Sequence, residues 1–515
     1  MKKILLFIIA VLCSLYAMSQ KETYNWAFGQ RAGLTWNTTR SMNVATVNTT
    51  TGVTGTFNVP MDGLPSDLPT AIQTLEGCFS LSDNKGNLLF YSDGSTIWNK
   101  NNVPMPNGTG MYGNSSSAQS GIIMPYPGNP GKYIALSVQA NPWYGIAYSI
   151  VDMTLDGGLG DLSSKNNAMS GTGSISESAT AIRHANGTDF WVIAPGRGGN
   201  YHTYFNAWKV TKDGVAATPV VSDIALPSKT TVGAYGYFKI SPDGKHFAYG
   251  QNDDGYRIMY GDFDTETGVI SNAKQKSLAT GGNIACYGVE FSPSGKLLYV
   301  GNAGVLAVIK FDELLQSSTP WSFPYKRLLI ANYSGALQTG PDKRIYATAS
   351  TYNSQKDYLY VIDNIEDYDN FKIYQLPSGF MSGTCVVGLP SFSSSWFTVE
   401  PPAIKTFTCS GNQSSYSVEI NMSGLPDELP VKLEWDFGDG SAKVIQNIVT
   451  GVTTYNQSHT YENGGTYNIT ITPYREDGTA LSSVEVPVHI ANCVFKTNRM
   501  LRTDFQNVAT KASNR

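Results

Sequence analysis

Three glutamates, Glu76, Glu177 and Glu290, stand just before or within short strand-like segments. A pair of carboxylates is what glycoside hydrolysis requires, one to protonate the leaving oxygen and one to act as base or nucleophile. The competing reading is structural, with these side chains hydrogen-bonding neighbouring strands. A second group is aromatic: Trp143, Tyr144, Trp191, Tyr201, Tyr204 and Trp208, with Arg197 among them, fall on or near inter-strand loops. Rings of this kind stack on sugars or anchor a protein partner when exposed, and pack between sheets when buried. Other chemistry finds little support. The five histidines, His184, His202, His246, His459 and His489, form no HExxH, and no GxSxG accompanies them. Gly196-Arg-Gly-Gly199 lacks the Lys-Ser/Thr of a phosphate loop. No cysteine pair has CxxC spacing, so no metal site and no cofactor is expected.

The elements that carry these residues repeat. Phe238-Lys-Ile-Ser-Pro-Asp-Gly-Lys-His-Phe-Ala-Tyr249, Val289-Glu-Phe-Ser-Pro-Ser-Gly-Lys-Leu-Leu-Tyr299 and Leu337-Gln-Thr-Gly-Pro-Asp-Lys-Arg-Ile-Tyr346 each read as strand, turn, strand. Proline presets φ at the turn, a short polar residue follows, and glycine takes a conformation that a Cβ resists. Looser copies run from Phe79, Ile122 and Ile182. Anchored on the second strand at Leu89, Ile134, Trp191, Phe247, Leu298 and Tyr346, the steps are 45, 57, 56, 51 and 48 residues. That is near the roughly 40–50 residues of a four-stranded propeller blade. Residues 20–398 then hold a β-propeller, seven-bladed by this arithmetic, with six or eight also open. A blade cannot cover both of its apolar faces alone, so neighbours pack radially and the ring closes. Tyr24–Phe28 and Val386–Phe392 are the expected clasp.

Composition agrees. Of 515 residues only 15% are charged, while Gly (51), Pro (25) and Tyr (30) are abundant, which disfavours a coiled coil or helical bundle. Net charge is −4 without a basic stripe, so nucleic acid is not an expected partner. Met1-Lys-Lys3, the apolar run Ile4–Tyr16 and Ala17-Met-Ser19 read as a signal peptide over residues 1–19, and no later run reaches the about 18 apolar residues of a membrane span. Five cysteines remain: Cys78, Cys286, Cys385, Cys409 and Cys493. Cys409 and Cys493 bracket one compact region and are the expected disulfide; the others read as buried thiols.

Beyond a linker at 399–404 the texture changes. Leu433-Glu-Trp-Asp-Phe-Gly-Asp-Gly-Ser441, Ser458-His-Thr-Tyr461 and Gly465-Thr-Tyr-Asn-Ile-Thr-Ile471 closely resemble a PKD-type domain, an immunoglobulin-like β-sandwich, here over 405–494. Trp435 and Phe437 would face inward and Asp436 outward; Asp436 and Asp439 read as turn residues rather than a cation site. Residues 495–515 form a basic tail, expected to be solvated.

A wider resemblance rests on Asn25-Trp-Ala-Phe-Gly-Gln-Arg-Ala-Gly-Leu-Thr-Trp36, Leu75-Glu-Gly-Cys-Phe-Ser80, Gly86-Asn-Leu-Leu-Phe-Tyr-Ser-Asp-Gly94, Tyr287-Gly-Val-Glu-Phe-Ser-Pro293 and Val387-Gly-Leu-Pro-Ser-Phe392. In this order they resemble the surface proteins associated with gliding motility and type IX secretion in Gram-negative bacteria. The resemblance implies an exported protein, at the cell surface, outer membrane-associated or secreted, without known catalytic residues. No type IX sorting domain is recognised, so a periplasmic location or recruitment by a partner is also expected. The resulting expectation is a non-catalytic binding or adhesion protein that presents the propeller to a protein or glycan, with the PKD-like module as spacer or second contact. The alternatives are a carbohydrate-active propeller enzyme and an accessory component of an envelope secretion or motility machine.

Overall fold

The structure is a computed structural model and describes residues 21–491 apart from 141–144, 199–201, 226–234, 252–256, 279–285, 318–323, 351–353, 394–406, 421–428, 450–451, 453 and 482. The expected leader, linker and basic tail therefore lie outside the described residues. The rest is almost wholly β. Six antiparallel sheets follow one another along the chain, with innermost strands Phe79–Ser82, Ile123–Pro125, Thr180–Arg183, Phe238–Ile240, Gly288–Phe291 and Leu337–Thr339. These are blades 1 to 6. Each sequence anchor, from Leu89 to Tyr346, lies on the second strand of its blade.

Turn chemistry sets the hairpins. In blade 4 the Gly244 N–H donates to the Ser241 carbonyl at 2.9 Å, and Gly244 has φ of 75°, a value that disfavours any other residue. The turn pairs Phe238 with Tyr249 and Ile240 with Phe247. Apolar residues from successive blades then interlock: Phe205 of blade 3 lies 5.7 Å from Phe238 and 5.0 Å from Phe247 of blade 4, ring centre to ring centre. Burying both faces in this way is what the repeat demanded.

The seventh position is filled by the N-terminal strands Asn25–Phe28, Ala32–Asn48 and Val53–Asp67. On one side Asn25 accepts from the Ser80 hydroxyl and donates to Ser82 of blade 1. On the other, Trp26 and Trp36 meet Tyr346 of blade 6 edge-on at 5.7 and 5.4 Å. The long second strand continues outward and pairs Ala45 and Thr46 with Gln375 and Tyr374, the outer strand of blade 6. The ring is thus closed by Lys372–Gln375 rather than by Val386–Phe392, which does something else.

The C-terminal unit is a two-sheet sandwich. Phe407–Cys409, Val484–Ala491, Gly465–Tyr474, Lys432–Asp436 and Val444–Asn447 form one sheet, and Gln413–Glu419 pairs with Thr454–Thr460 in the other. Trp435 and Phe437 are buried with Tyr416 and Tyr461, as the alternation required. Asp439 accepts from the Ser441 N–H and from His459 at 2.7 Å, while His459 stacks on Phe437 with centroids 4.0 Å apart. Burial alone would raise the Asp439 pKa; hydrogen bonds from Ser441 and His459 outweigh it and hold it at about 2. Among the described residues no helix is long and apolar enough to cross a membrane.

Candidate functional site: a channel closed at one end

Residues 385–393 are all buried. Their partners come from around the ring. The Val387 N–H donates to the Leu75 carbonyl and the Ser391 N–H to the Cys78 carbonyl, at the entrance to blade 1. Gln119, before blade 2, donates to the Ser391 hydroxyl at 3.3 Å. The Tyr237 hydroxyl, before blade 4, donates to the Leu389 carbonyl and accepts the Leu389 N–H. Val386 and Val387 pack with Ala118 and with Tyr287, before blade 5, and the Ala336 N–H of blade 6 donates to the Val387 carbonyl. A segment that touches five blades at their inner edges can only lie on the axis. It fits because Gly388 has no side chain: a Cβ there would sit 1.5 Å from the Glu76 carbonyl oxygen. The central channel is therefore plugged by the chain itself.

Past the plug, toward the far ends of the inner strands, a cleft of about 250 Å3 opens. Its polar centre comes from the same strand position of three consecutive blades: Lys239, Glu290 and Gln338. The Lys239 ammonium donates to Glu290 at 3.1 Å and to the Gln338 amide oxygen at 2.7 Å. Glu290 also accepts the N–H groups of Phe291 and Thr339, both at 3.2 Å. The ion pair is buried, with side chains 8% and 10% exposed. Such a pair repays its desolvation only when further hydrogen bonds complete it, as they do here. Phe291 and Phe392 supply apolar walls, and Phe392 is held against Trp26 at 6.1 Å. Two hydroxyls lining the cleft, Thr339 Oγ1 and Ser393 Oγ, are buried without a hydrogen-bond partner. Other partnerless hydroxyls, such as Ser120 and Ser334, do not line it.

The three glutamates are not brought together in this cleft. Glu290 lines it; Glu76 lies beside the plug and accepts the Tyr287 hydroxyl; Glu177 is buried, its carbonyl accepting the Gln119 N–H. Among the aromatic candidates, Trp191 is buried between blades 3 and 4, stacked on His184 at 5.4 Å and donating to the Thr265 carbonyl at 2.8 Å. Trp208 is wholly buried, Tyr204 is half-buried beside His202, and Arg197 is half-buried at a strand end. Trp143, Tyr144 and Tyr201 lie outside the described residues. Cys78, Cys286 and Cys385 are buried thiols, each pushed up in pKa first by burial. Cys409 stands opposite Ala491 in the sheet register; its side chain and all of Cys493 lie outside the described residues.

Sequence reasoning missed Lys239, Gln338, Thr339 and Ser393, although a signal was present. In Phe-Lys-Ile, Val-Glu-Phe and Leu-Gln-Thr the polar residue recurs at one position of the three clearest repeats. Alternation sends that position to the opposite face from its apolar neighbours, which here is the channel.

Residues 399–490 match the PKD domain family model. A comparison with curated proteins finds no match. Among solved structures, the chain is similar to a protein from Bacteroides fragilis described as a 6-phosphogluconolactonase, at 11% identity and a TM-score of 0.36, over 80% of this chain and 94% of that one. A counterpart from Bacteroides uniformis has 13% identity and a TM-score of 0.33, over 80% and 95%. A gluconolactonase from Xanthomonas campestris has 11% and 0.27, over 61% and 90%. At these identities the likeness is one of fold, all-β and propeller-like. It nevertheless corrects the expectation of a non-catalytic binding or adhesion protein that is not an enzyme. That reading leaned on missing catalytic motifs, whereas the similar structures are named as lactonases.

Proposed function

We propose that this chain is a carbohydrate-active propeller enzyme whose reaction takes place in the cleft at the open end of the channel. The observation that carries the reading is the Lys239–Glu290–Gln338 constellation in a recess where two buried hydroxyls await a partner. Buried polar groups are nearly always hydrogen-bonded, so a polyhydroxylated ligand is the natural complement of Thr339 and Ser393. Glu290, held by two main-chain N–H groups and the Lys239 ammonium, is positioned to exchange a proton with a sugar hydroxyl or a water. Lys239 is placed to stabilise charge that develops on a sugar oxygen, and Gln338 keeps the ammonium in place. Because Glu76 and Glu177 do not line the cleft, chemistry by one carboxylate and one ammonium is favoured over the paired-carboxylate route.

The test is turnover of a panel of glycosides and sugar lactones followed by proton NMR. Wild-type protein is expected to convert at least one, and Glu290→Gln to lose about a hundredfold in kcat, within the range of acid–base catalysis. Conversion undiminished in Glu290→Gln overturns the assignment. Export and a cell-surface setting like that of gliding-motility and type IX secretion proteins belong to the same proposal, supported by the leader-like start, the PKD domain and the motif strings. Protease shaving of intact cells should remove the protein, and protection from shaving would place it inside the envelope.

A further inference from the structure

The plug restricts what the cleft can hold. In an open propeller channel a ligand has two mouths, and a polymer could pass between them. Here the far mouth is occupied by Val386–Ser391, which is hydrogen-bonded to blades 1, 2, 4 and 6. The floor of what remains is built from the next two residues, Phe392 and Ser393. The recess measures about 250 Å3, below the roughly 300–1,000 Å3 of sites for drug-sized ligands. That is room for one ring rather than for a ring with neighbours on both sides.

Resting on the carbohydrate reading above, we infer that the cleft takes a single sugar unit end-on, free or at the terminus of a glycan, and rejects the same unit inside a chain. Phe392 and Ser393 are the specificity-determining residues of this floor. Phe392, backed by Trp26, offers a ring to the C–H face of the sugar; Ser393 Oγ and Thr339 Oγ1, both lacking a protein partner, meet its hydroxyls. A unit with a further residue attached at its buried side has nowhere to put that residue, because the plug is packed main chain with no side chain at Gly388 to swing away.

The test uses the whole mature chain and isothermal titration calorimetry. Methyl hexosides of the gluco, galacto, manno, N-acetylgluco and glucurono series identify the sugar that binds best. That sugar is then offered free, as the terminal unit of a disaccharide, and as the central unit of a trisaccharide. The first two are expected to bind within about tenfold of each other, with the third weaker by about a hundredfold or more, a difference that titration resolves readily. Ser393→Ala and Thr339→Ala should each weaken the free sugar about tenfold, the size of a lost hydrogen bond to a buried partner, without lowering Tm. Equal binding of the central-unit trisaccharide overturns the end-on inference and leaves the carbohydrate reading intact, as does unchanged affinity in both hydroxyl variants. Absence of binding by every sugar overturns both.

Discussion

The two ends of the propeller channel are lined by the same inner strands and finished in opposite ways. At the plugged end Glu76, Gln119, Tyr237 and Tyr287 are engaged by residues of the same chain. At the open end Lys239, Glu290 and Gln338 satisfy one another, and the hydroxyls of Thr339 and Ser393 find nothing. Strand packing fixes the ring; what fills its axis is a separate choice. Where the chain fills it, polar groups are engaged by the chain itself, and where it stops short two buried hydroxyls are left without a protein partner.

Gly388→Ala attacks the contrast hardest. Its Cβ would overlap main chain, which no rotamer change relieves, so a loss of about 3 kcal/mol or failure to fold is expected in chemical denaturation. A well-folded, undiminished Gly388→Ala protein would mean the axis is not packed as described. Lys239→Met comes next. It leaves the Glu290 carboxylate buried with only its main-chain donors, and a cost approaching about 3 kcal/mol is expected, read from the urea midpoint. Smallest and sharpest is a matched pair. Ser391→Ala removes a hydroxyl that accepts from Gln119 and should cost about 1 kcal/mol, whereas Ser393→Ala, two residues on, should stay within about 0.5 kcal/mol. Equal costs for the two serines would erase the distinction between the ends.

Much of the architecture was legible beforehand because its determinants are local. The Ser-Pro-Asp-Gly and Ser-Pro-Ser-Gly turns, the fifty-odd-residue step and the Trp435/Phe437 alternation each declare themselves within a few residues. The plug did not. Val386–Phe392 has the apolar texture of an edge strand, and nothing near it in sequence says that its partners belong to five blades. The site was half legible for a related reason. Glu290 was singled out by residue type, while Lys239 and Gln338 share its place in the repeat and only position betrays them. Trp191 and Trp208 show the converse: large rings near loops end up buried where blades meet, since their area is what radial packing uses.

Ser393 is the last described residue before the chain leaves for the sandwich. A tug on that C-terminal module would be delivered to the hub of the wheel, not to its rim. Force entering along the axis is shared by every spoke that grips the segment, whereas force on an outer strand would unzip one spoke at a time. The segment is thus held like a bolt through a washer, gripped from around the ring.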